Sequence, residues 1–519
     1  MIIHADILEW ATSYEGEPFH ALLCDPPYHL TEITKRFSSP DAAPAQYGTD
    51  GAFQRASKGF MGRDWDGGDI AFRPETWSAL ARHLYPGAFG MAFASTRGWH
   101  RMACAIEDAG LIIHPVVMCW TFLSGFPKAT RIDTQIDKAA GVEREVTGQR
   151  AHAPKFAAKD FGYREKDNGY NSRERESFDV TAPATDLARA WEGHRYGLQA
   201  LKPALEPVIV FQKPYQGRPV ECIAATGAGA LNIDAGRISG TVPSVPQPAF
   251  VAGNAFAPKE RSGEMSQSEG RWPSNLTLVH HPSCNGTCHE QCPVRRLGEQ
   301  SGVSKASDPR GSVSWSKGKG TTGHEGWQRE AHASYEPTES HGYGDTGTAA
   351  RMFLNASWMY ERLEDADPAA YFPKASTAER EAGLEGFASV TVDDGRDTPV
   401  DNAYQRGEMQ RRNSHPTLKP LSLVKYLATL LLPPIEYAPR RLLCPFAGSG
   451  SEVIGGLLAG FEQVVGIEKE EEYVTIARAR LDWWTMAARR LATDDPETIL
   501  AMRENADEGM TIFDLLDAA

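Results

Sequence analysis

The sequence predicts an α/β fold built around a parallel sheet. Three observations predict it. Short apolar runs of strand type recur along the chain, segments of about ten residues with helical spacing separate them, and Gly or Pro closes nearly every element. Residues 19–24 (FHALLC) read as a buried strand stopped by Asp25-Pro26-Pro27. Residues 75–85 read as a helix ended by Pro86-Gly87, and 88–94 (AFGMAFA) as a second strand. Residues 99–109 place Met102, Ile106 and Ala109 on one helical face, with Gly110 as the stop. Residues 111–118 and 204–211 add two more strands. The pattern returns with a helix over 421–432 after Pro420, a strand at 441–446, a helix at 451–459, a strand at 463–467 and a helix over about 470–489.

Between these regular stretches the composition changes. Residues 141–195 are rich in Arg and Lys (Arg144, Arg150, Lys155, Arg164) with Phe156, Phe161, Tyr163 and Tyr170 interleaved. They read either as a solvated loop or as a basic arm with stacking aromatics that touches nucleic acid. Residues 298–350 carry ten Gly and, of Leu, Ile and Val, only Val303 and Val313, so they read as a long flexible insertion.

The whole chain has 519 residues and ordinary globular composition, with 41% hydrophobic and 24% charged residues, which excludes a wholly disordered or collagenous protein. Net charge is −14, and residues 491–519 hold eight Asp or Glu against one Arg, so half of the excess sits in that acidic tail. Net charge therefore neither excludes nor suggests a local basic groove. Eight Cys, scattered except for one cluster, point to a reducing compartment. The start (MIIHADILEW) lacks the features of a signal peptide, and the longest apolar stretch, near Tyr426–Ile435, is broken by Pro433 and Pro434. A soluble, cytoplasmic protein is expected.

Two motifs carry chemistry. Phe446-Ala447-Gly448-Ser449-Gly450 lies between a strand and a helix, and Glu468 follows at the end of the next strand. A glycine turn lets a ligand approach backbone N–H groups, and an acid on the second strand tip accepts hydrogen bonds from both ribose hydroxyls. That suits a nucleoside-containing cofactor; a tight βα turn is the alternative. A Gly-Lys-Ser/Thr element is absent, which disfavours a nucleotide triphosphatase. The second motif is Asp25-Pro26-Pro27-Tyr28. Its prolines end the strand and expose Asp25 and Tyr28 at the carboxyl edge, where ligands of α/β sheets bind. Asp25 and the Pro26 carbonyl suit the hydrogens of an amine on a planar ring, and Tyr28 suits the ring face. A capped turn with a surface tyrosine is the alternative for the tetrapeptide taken alone.

Together the two motifs resemble those of the S-adenosylmethionine-dependent DNA amino-methyltransferases. The catalytic motif comes first, then a long middle, then His415-Pro416-Thr417-Leu418-Lys419-Pro420, then the cofactor motif. That order resembles the β group of the family. Further matches are Phe60-Met61-Gly62-Arg63-Asp64-Trp65-Asp66, Gly125-Phe126-Pro127-Lys128, Lys202-Pro203 with Glu206-Pro207, and Arg271-Trp272-Pro273-Ser274-Asn275. The resemblance covers most of 1–290 and 350–490.

The resemblance implies a circularly permuted Rossmann-like methyltransferase sheet with an inserted target-recognition region. It divides the chain into a catalytic half (1–140), a basic arm or insertion (141–195), remaining core strands (196–240), a target-recognition and insertion region (241–405), a cofactor-binding half (406–490) and the acidic tail (491–519). It implies Asp25, Pro26, Pro27 and Tyr28 as catalytic. It implies Phe446, Ala447, Gly448, Ser449, Gly450, Glu468, Thr417 and Lys419 as binding S-adenosylmethionine. The substrate it implies is duplex DNA with a flipped-out base, adenine N6 ahead of cytosine N4, because Asp at the first motif position leans to adenine in the family. The rivals are a DNA-binding relative with weakened catalysis and a protein or RNA methyltransferase. No membrane partner is implied, and a dimer is compatible. The chain departs from the family at Cys444, where Asp is usual and would help hold the methionine ammonium.

Beside the resemblance stands a third cluster, His280-His281-x2-Cys284-x3-Cys288-His289-x2-Cys292. It suits a closed structural zinc site with His281, Cys284, Cys288 and Cys292 as ligands, or else reduced thiols packed in a loop.

Overall fold

The computed structural model of the protein describes residues 1–28, 69–121, 128–151, 177–201, 203–237, 272–279, 290, 292–301, 304–305, 346–347, 354–356, 375–392, 409–496 and 498–500. Ten strands form one mixed, mainly parallel sheet. In chain order they are β1 (Ile2–His4), β2 (Phe19–Cys24), β3 (Leu84–Phe93), β4 (Ile112–Ile113), β5 (Met118–Thr121), β6 (Leu205–Gln212), β7 (Leu276–Val279), β8 (Leu354–Ala356), β9 (Arg441–Pro445) and β10 (Gln463–Glu468). The spatial order is β1-β10-β9-β2-β3-β6-β5-β7-β8, with β4 beside β6. Strands β1, β10, β9, β2 and β3 run parallel to one another, and β6 is antiparallel to β3, β4 and β5. This is the Rossmann-like α/β architecture expected.

Both faces of the sheet are covered, which explains why its central strands are continuously apolar rather than alternating. The strand period of two divides each strand between the two cores. Ala21, Leu23, Leu442 and Cys444 face helices α5 (Leu421–Leu431), α6 (Ser451–Leu458) and α7 (Glu471–Leu491). Leu22, Cys24 and Leu443 face α1 (Ile7–Ser13), α2 (Pro74–Ala81) and α3 (Trp99–Asp108), where Trp10, Trp77, Met102 and Ile106 are buried. The tail begins inside the fold: Ile499 and Leu500 pack with Trp483 and Trp484. Among the described residues no helix is long and apolar enough to cross a membrane.

Three boundaries differ from the sequence reading. The helix expected over 75–85 stops at Ala81, and β3 begins at Leu84 and runs through Pro86-Gly87. Gly87 has φ of +83° there, and the β2–β3 register shifts between Phe19 and Ala21. The glycine makes an irregularity within the strand rather than a stop. The strand expected at 111–118 is split into β4 and β5, with Pro115 between them. Arg144 belongs to an internal network: its guanidinium bridges Asp133 and Asp137 at 2.9 and 2.6 Å, and both carboxylates are fully buried. That network ties helix α4 (Ile132–Ala139) to the strand pair Val146–Ala151 and Ser177–Thr181. The aromatics Phe156, Phe161, Tyr163 and Tyr170 lie outside the described residues, as do Phe60–Asp66.

Topology also positions the site. From β2 the chain proceeds outward to β3; from β9 it proceeds in the opposite direction to β10. Strands β2 and β9 are neighbours, so the winding reverses between them. A crevice opens at such a switch point, outside the carboxyl ends of the strands. The segments that leave those two ends are Asp25–Tyr28 and Phe446–Gly450.

Candidate active site at the sheet switch point

The glycine turn is built by backbone conformation. Phe446 adopts φ of +59°, uncommon for a bulky residue and costing ~1–3 kcal/mol. Gly448 follows at +51° and Gly450 at +88°. The Ala447 N–H donates to the Ile467 carbonyl at 2.8 Å, which fastens the turn to β10. Glu468, at the tip of β10, accepts from the Gly448 N–H at 2.7 Å and from the Glu470 N–H at 2.9 Å. Burial pushes its carboxyl above the usual range, while those two N–H groups pull it back. The acid on the second strand tip thus holds the turn itself.

Below the turn, the fully buried Arg480 of α7 donates to the Ser449 carbonyl at 2.5 Å. Burial lowers its guanidinium to about 10. Beside the turn stands His415, whose Nδ1–H donates to the Thr417 carbonyl and whose ring meets Tyr473 edge-on at 4.6 Å. Burial holds His415 down at about 3, so it is neutral. A Cβ on Gly448 would lie 2.8 Å from its Nε2, which leaves room for glycine alone.

The other wall is a charged cluster. The Tyr28 hydroxyl lies 2.6 Å from Asp25 Oδ1 and 2.7 Å from Glu206 Oε1. Lys419 Nζ lies 2.9 Å from Asp25 Oδ2, 2.7 Å from Glu206 Oε1 and 3.0 Å from the Tyr28 hydroxyl. Lys419 is only 5% exposed and sits over the Phe93 ring at 4.9 Å. Its two carboxylates outweigh its burial, so its ammonium is held above the ordinary range. Glu206 reaches this edge because β6 is antiparallel: Val208 pairs with Phe93, which puts the start of β6 beside the end of β3. Lys419 arrives just before α5, which Glu379 caps by accepting from the Leu421 N–H at 2.7 Å.

Between the two walls is Glu452, buried in the first turn of α6. Burial, then the charge of Asp25, push it up to about 8, against the opposing pull of Lys419 and Arg480. It also interacts electrostatically with Cys444 and Cys24. Cys444 itself is fully buried in the core, and burial raises its thiol.

The fold therefore gathers Asp25, Pro26, Pro27 and Tyr28 at one strand end and Phe446–Gly450 with Glu468 at the neighbouring ends. Thr417 meets the turn through His415. Lys419, expected beside the cofactor, has Asp25, Glu206 and Tyr28 as its partners. Of the candidate zinc ligands, Cys292 is buried directly before helix Pro293–Ser301; His281, Cys284 and Cys288 lie outside the described residues. Among the described residues no three metal-ligating side chains converge.

Sequence reading assigned no role to Glu206, Glu452 or Arg480. A signal existed for the first two, since each is a lone acid in an apolar run (ALEPVIVF and SEVIGGLLA). Arg480 lies in a charged helix and gave no such signal.

No known family model and no curated protein matches the chain by sequence. Among solved structures it is similar to the M1.HpyAVI–SAM complex, at 11% identity over 93% of this chain and 98% of that one, with a TM-score of 0.31. A putative DNA modification methylase from Thermus thermophilus, complexed with S-adenosyl-L-methionine, gives 10% identity over 94% of each chain and a TM-score of 0.27. PvuII DNA methyltransferase (cytosine-N4-specific) gives 10% identity over 96% of this chain and 92% of that one, with a TM-score of 0.31.

Proposed function

We propose that the protein is an S-adenosylmethionine-dependent methyltransferase acting on an exocyclic amino group of a base in duplex DNA, adenine N6 by preference, with cytosine N4 as the second reading. One observation carries this reading: Asp25–Tyr28 and the turn Phe446–Gly450 leave neighbouring parallel strands, β2 and β9, at the point where the sheet reverses its winding.

The residues present fit the cofactor. Gly448 offers a bare Cα beside His415, Glu468 stands at the tip of β10, and Glu452 is a buried acid between the walls. Phe446–Gly450 and Glu468 would hold the nucleoside. Glu452 would supply the carboxylate for the ammonium that Cys444 does not provide. When bound, the cofactor supplies an electrophilic methyl on a sulfonium. Asp25 and the Pro26 carbonyl accept the amine hydrogens, which localises a nitrogen lone pair otherwise spread into the ring. No strong base is required before attack, so positioning and electrostatics carry the rate. The Tyr28 ring holds the flipped base. Lys419 serves the amine side, as its partners indicate.

Incubation with labelled cofactor and duplex DNA, followed by identification of the methylated nucleoside, tests the reading. N6-methyladenine supports it, N4-methylcytosine supports the second reading, and label in protein or RNA alone refutes both. A structural zinc at His281, Cys284, Cys288 and Cys292 is a separate part of the proposal. It predicts one zinc per chain by elemental analysis of protein never exposed to chelator.

A further inference from the structure

The cluster at the amine wall contains one more short contact than it has hydrogens. Five contacts join Asp25, Tyr28, Glu206 and Lys419, at 2.6, 2.7, 2.9, 2.7 and 3.0 Å. An ammonium carries three hydrogens and a phenol one. Lys419 satisfies its three contacts to Asp25, Glu206 and Tyr28. The Tyr28 hydroxyl then donates to Asp25 or to Glu206, and the other pair of oxygens is left facing with nothing between. One added proton on a carboxyl completes the set. With Lys419 charged and both carboxylates ionised the cluster carries a net −1, and the same proton neutralises it.

The proposed methylation releases one proton per turnover, and the cluster has room for one. Resting on that function, we infer that Glu206 is the terminal acceptor of that proton, reached from Asp25 through the Tyr28 hydroxyl. The step balances. The amine nitrogen bonds to the methyl carbon as the sulfur–carbon bond breaks, its electron pair staying on sulfur. The nitrogen, now cationic, gives one hydrogen to Asp25. Asp25 passes a proton to the Tyr28 oxygen as the Tyr28 hydroxyl gives its own to Glu206 Oε1. Asp25 ends ionised, Tyr28 neutral and Glu206 protonated. Phenolate is never required, which matters because burial and the two carboxylates push Tyr28 well above its ordinary value. Among the described residues, the charged and titratable groups around the relay are Asp25, Tyr28, Lys419, Cys24 and, from α6, Glu452. Glu206 acts through Tyr28, so it is a positioning and proton-accepting residue rather than one that touches the base.

The test uses the full chain with Glu206→Gln, Glu206→Asp, Tyr28→Phe and the Gln/Phe double variant. Single-turnover methylation should fall about a hundredfold in E206Q, the range of one general acid–base group. E206D should recover part of it. Cofactor and DNA affinities should hold, and Y28F should keep DNA affinity because its ring is intact. The double variant should be no slower than the slower single, since both break one chain of transfer. A readout independent of activity is the infrared carboxyl band of the cofactor-free protein. That band should carry a Glu206 contribution, perturbed by its contact with Tyr28, that E206Q lacks. A wild-type rate and an unchanged carboxyl signal in E206Q overturn the relay alone, as do multiplicative effects in the double variant. No methyl transfer to DNA by the wild type, with cofactor bound, overturns the relay together with the function on which it rests.

Discussion

The two walls of the candidate site are built in opposite ways. The glycine-turn wall is almost contiguous: Phe446 to Gly450, with Glu468 one strand later, and its key bond joins Gly448 to Glu468 across that short span. The charged wall is assembled from three distant places. Tyr28 meets Glu206 across 178 residues and Lys419 across 391. A local wall depends on backbone conformation, which glycine and a strained Phe446 supply. An assembled wall depends on strand order and on charge balance, because no local pattern holds Lys419 between two carboxylates.

This contrast can be broken from either side. The largest effect is expected from Asp25→Ala, which should cost ~10³-fold in methyl transfer with cofactor affinity kept, as for loss of a central electrostatic contact. Isothermal calorimetry beside a methylation assay separates the two, and near wild-type turnover would remove Asp25 from the mechanism.

Next is Lys419→Met. It leaves Asp25 and Glu206 without the cation between them and should cost about 3 kcal/mol of stability, read from urea melts, as well as activity. An unchanged melt would mean that the assembled wall does not depend on its charge balance.

On the local wall, Gly448→Val places a branched side chain at φ of +51°, against His415, and should cost about 2–3 kcal/mol in cofactor affinity. Glu468→Ala should weaken binding by ~1–3 kcal/mol, part of it through the freed Gly448 N–H. Calorimetry checks both, and unchanged affinity in either would detach the turn from the cofactor.

The smallest effect concerns Glu452, which stands between the walls. Its carboxyl is raised from the ordinary 4.5 to about 8, so the folded chain keeps a proton that the unfolded chain loses. This contribution to stability is intact below the unfolded value, declines as pH rises from about 4.5 to about 8, and is level above that. Glu452→Gln should therefore gain stability relative to wild type across that window. Cofactor binding, by bringing an ammonium near Glu452, should release a proton, seen as a buffer-dependent calorimetric heat. Parallel pH–stability curves for the two proteins would place Glu452 outside the ionisable network.

Much of the fold was legible in the sequence because its signals are local. Periodicity placed β2, α3, β6, α5, β9, α6, β10 and α7 to within a residue or two, since a buried parallel strand must be apolar on both faces and each helix must bury one. It misplaced the start of β3 because Pro86-Gly87 reads locally as a stop, whereas pairing with β2 and β6 carries the strand through it. The same limit applied at the site. Phe446–Gly450, Glu468 and Asp25–Tyr28 were readable as strand-end punctuation, with a physical reason for each. Glu206 was visible as a misfit acid but had no partner until β6 proved antiparallel to β3.

The sequence alone determined the alternating elements, the two motifs and the glycine turn, because each rests on residues within one strand or turn of each other. Only the tertiary structure decided that β2 and β9 are neighbours at the reversal of winding, that Lys419 sits with Asp25 rather than at the glycine turn, and that Glu452 lies buried near Cys444. Those outcomes depend on which segments pack together. Buried charges then settle where their partners are, and a partner hundreds of residues away leaves no mark on the local pattern.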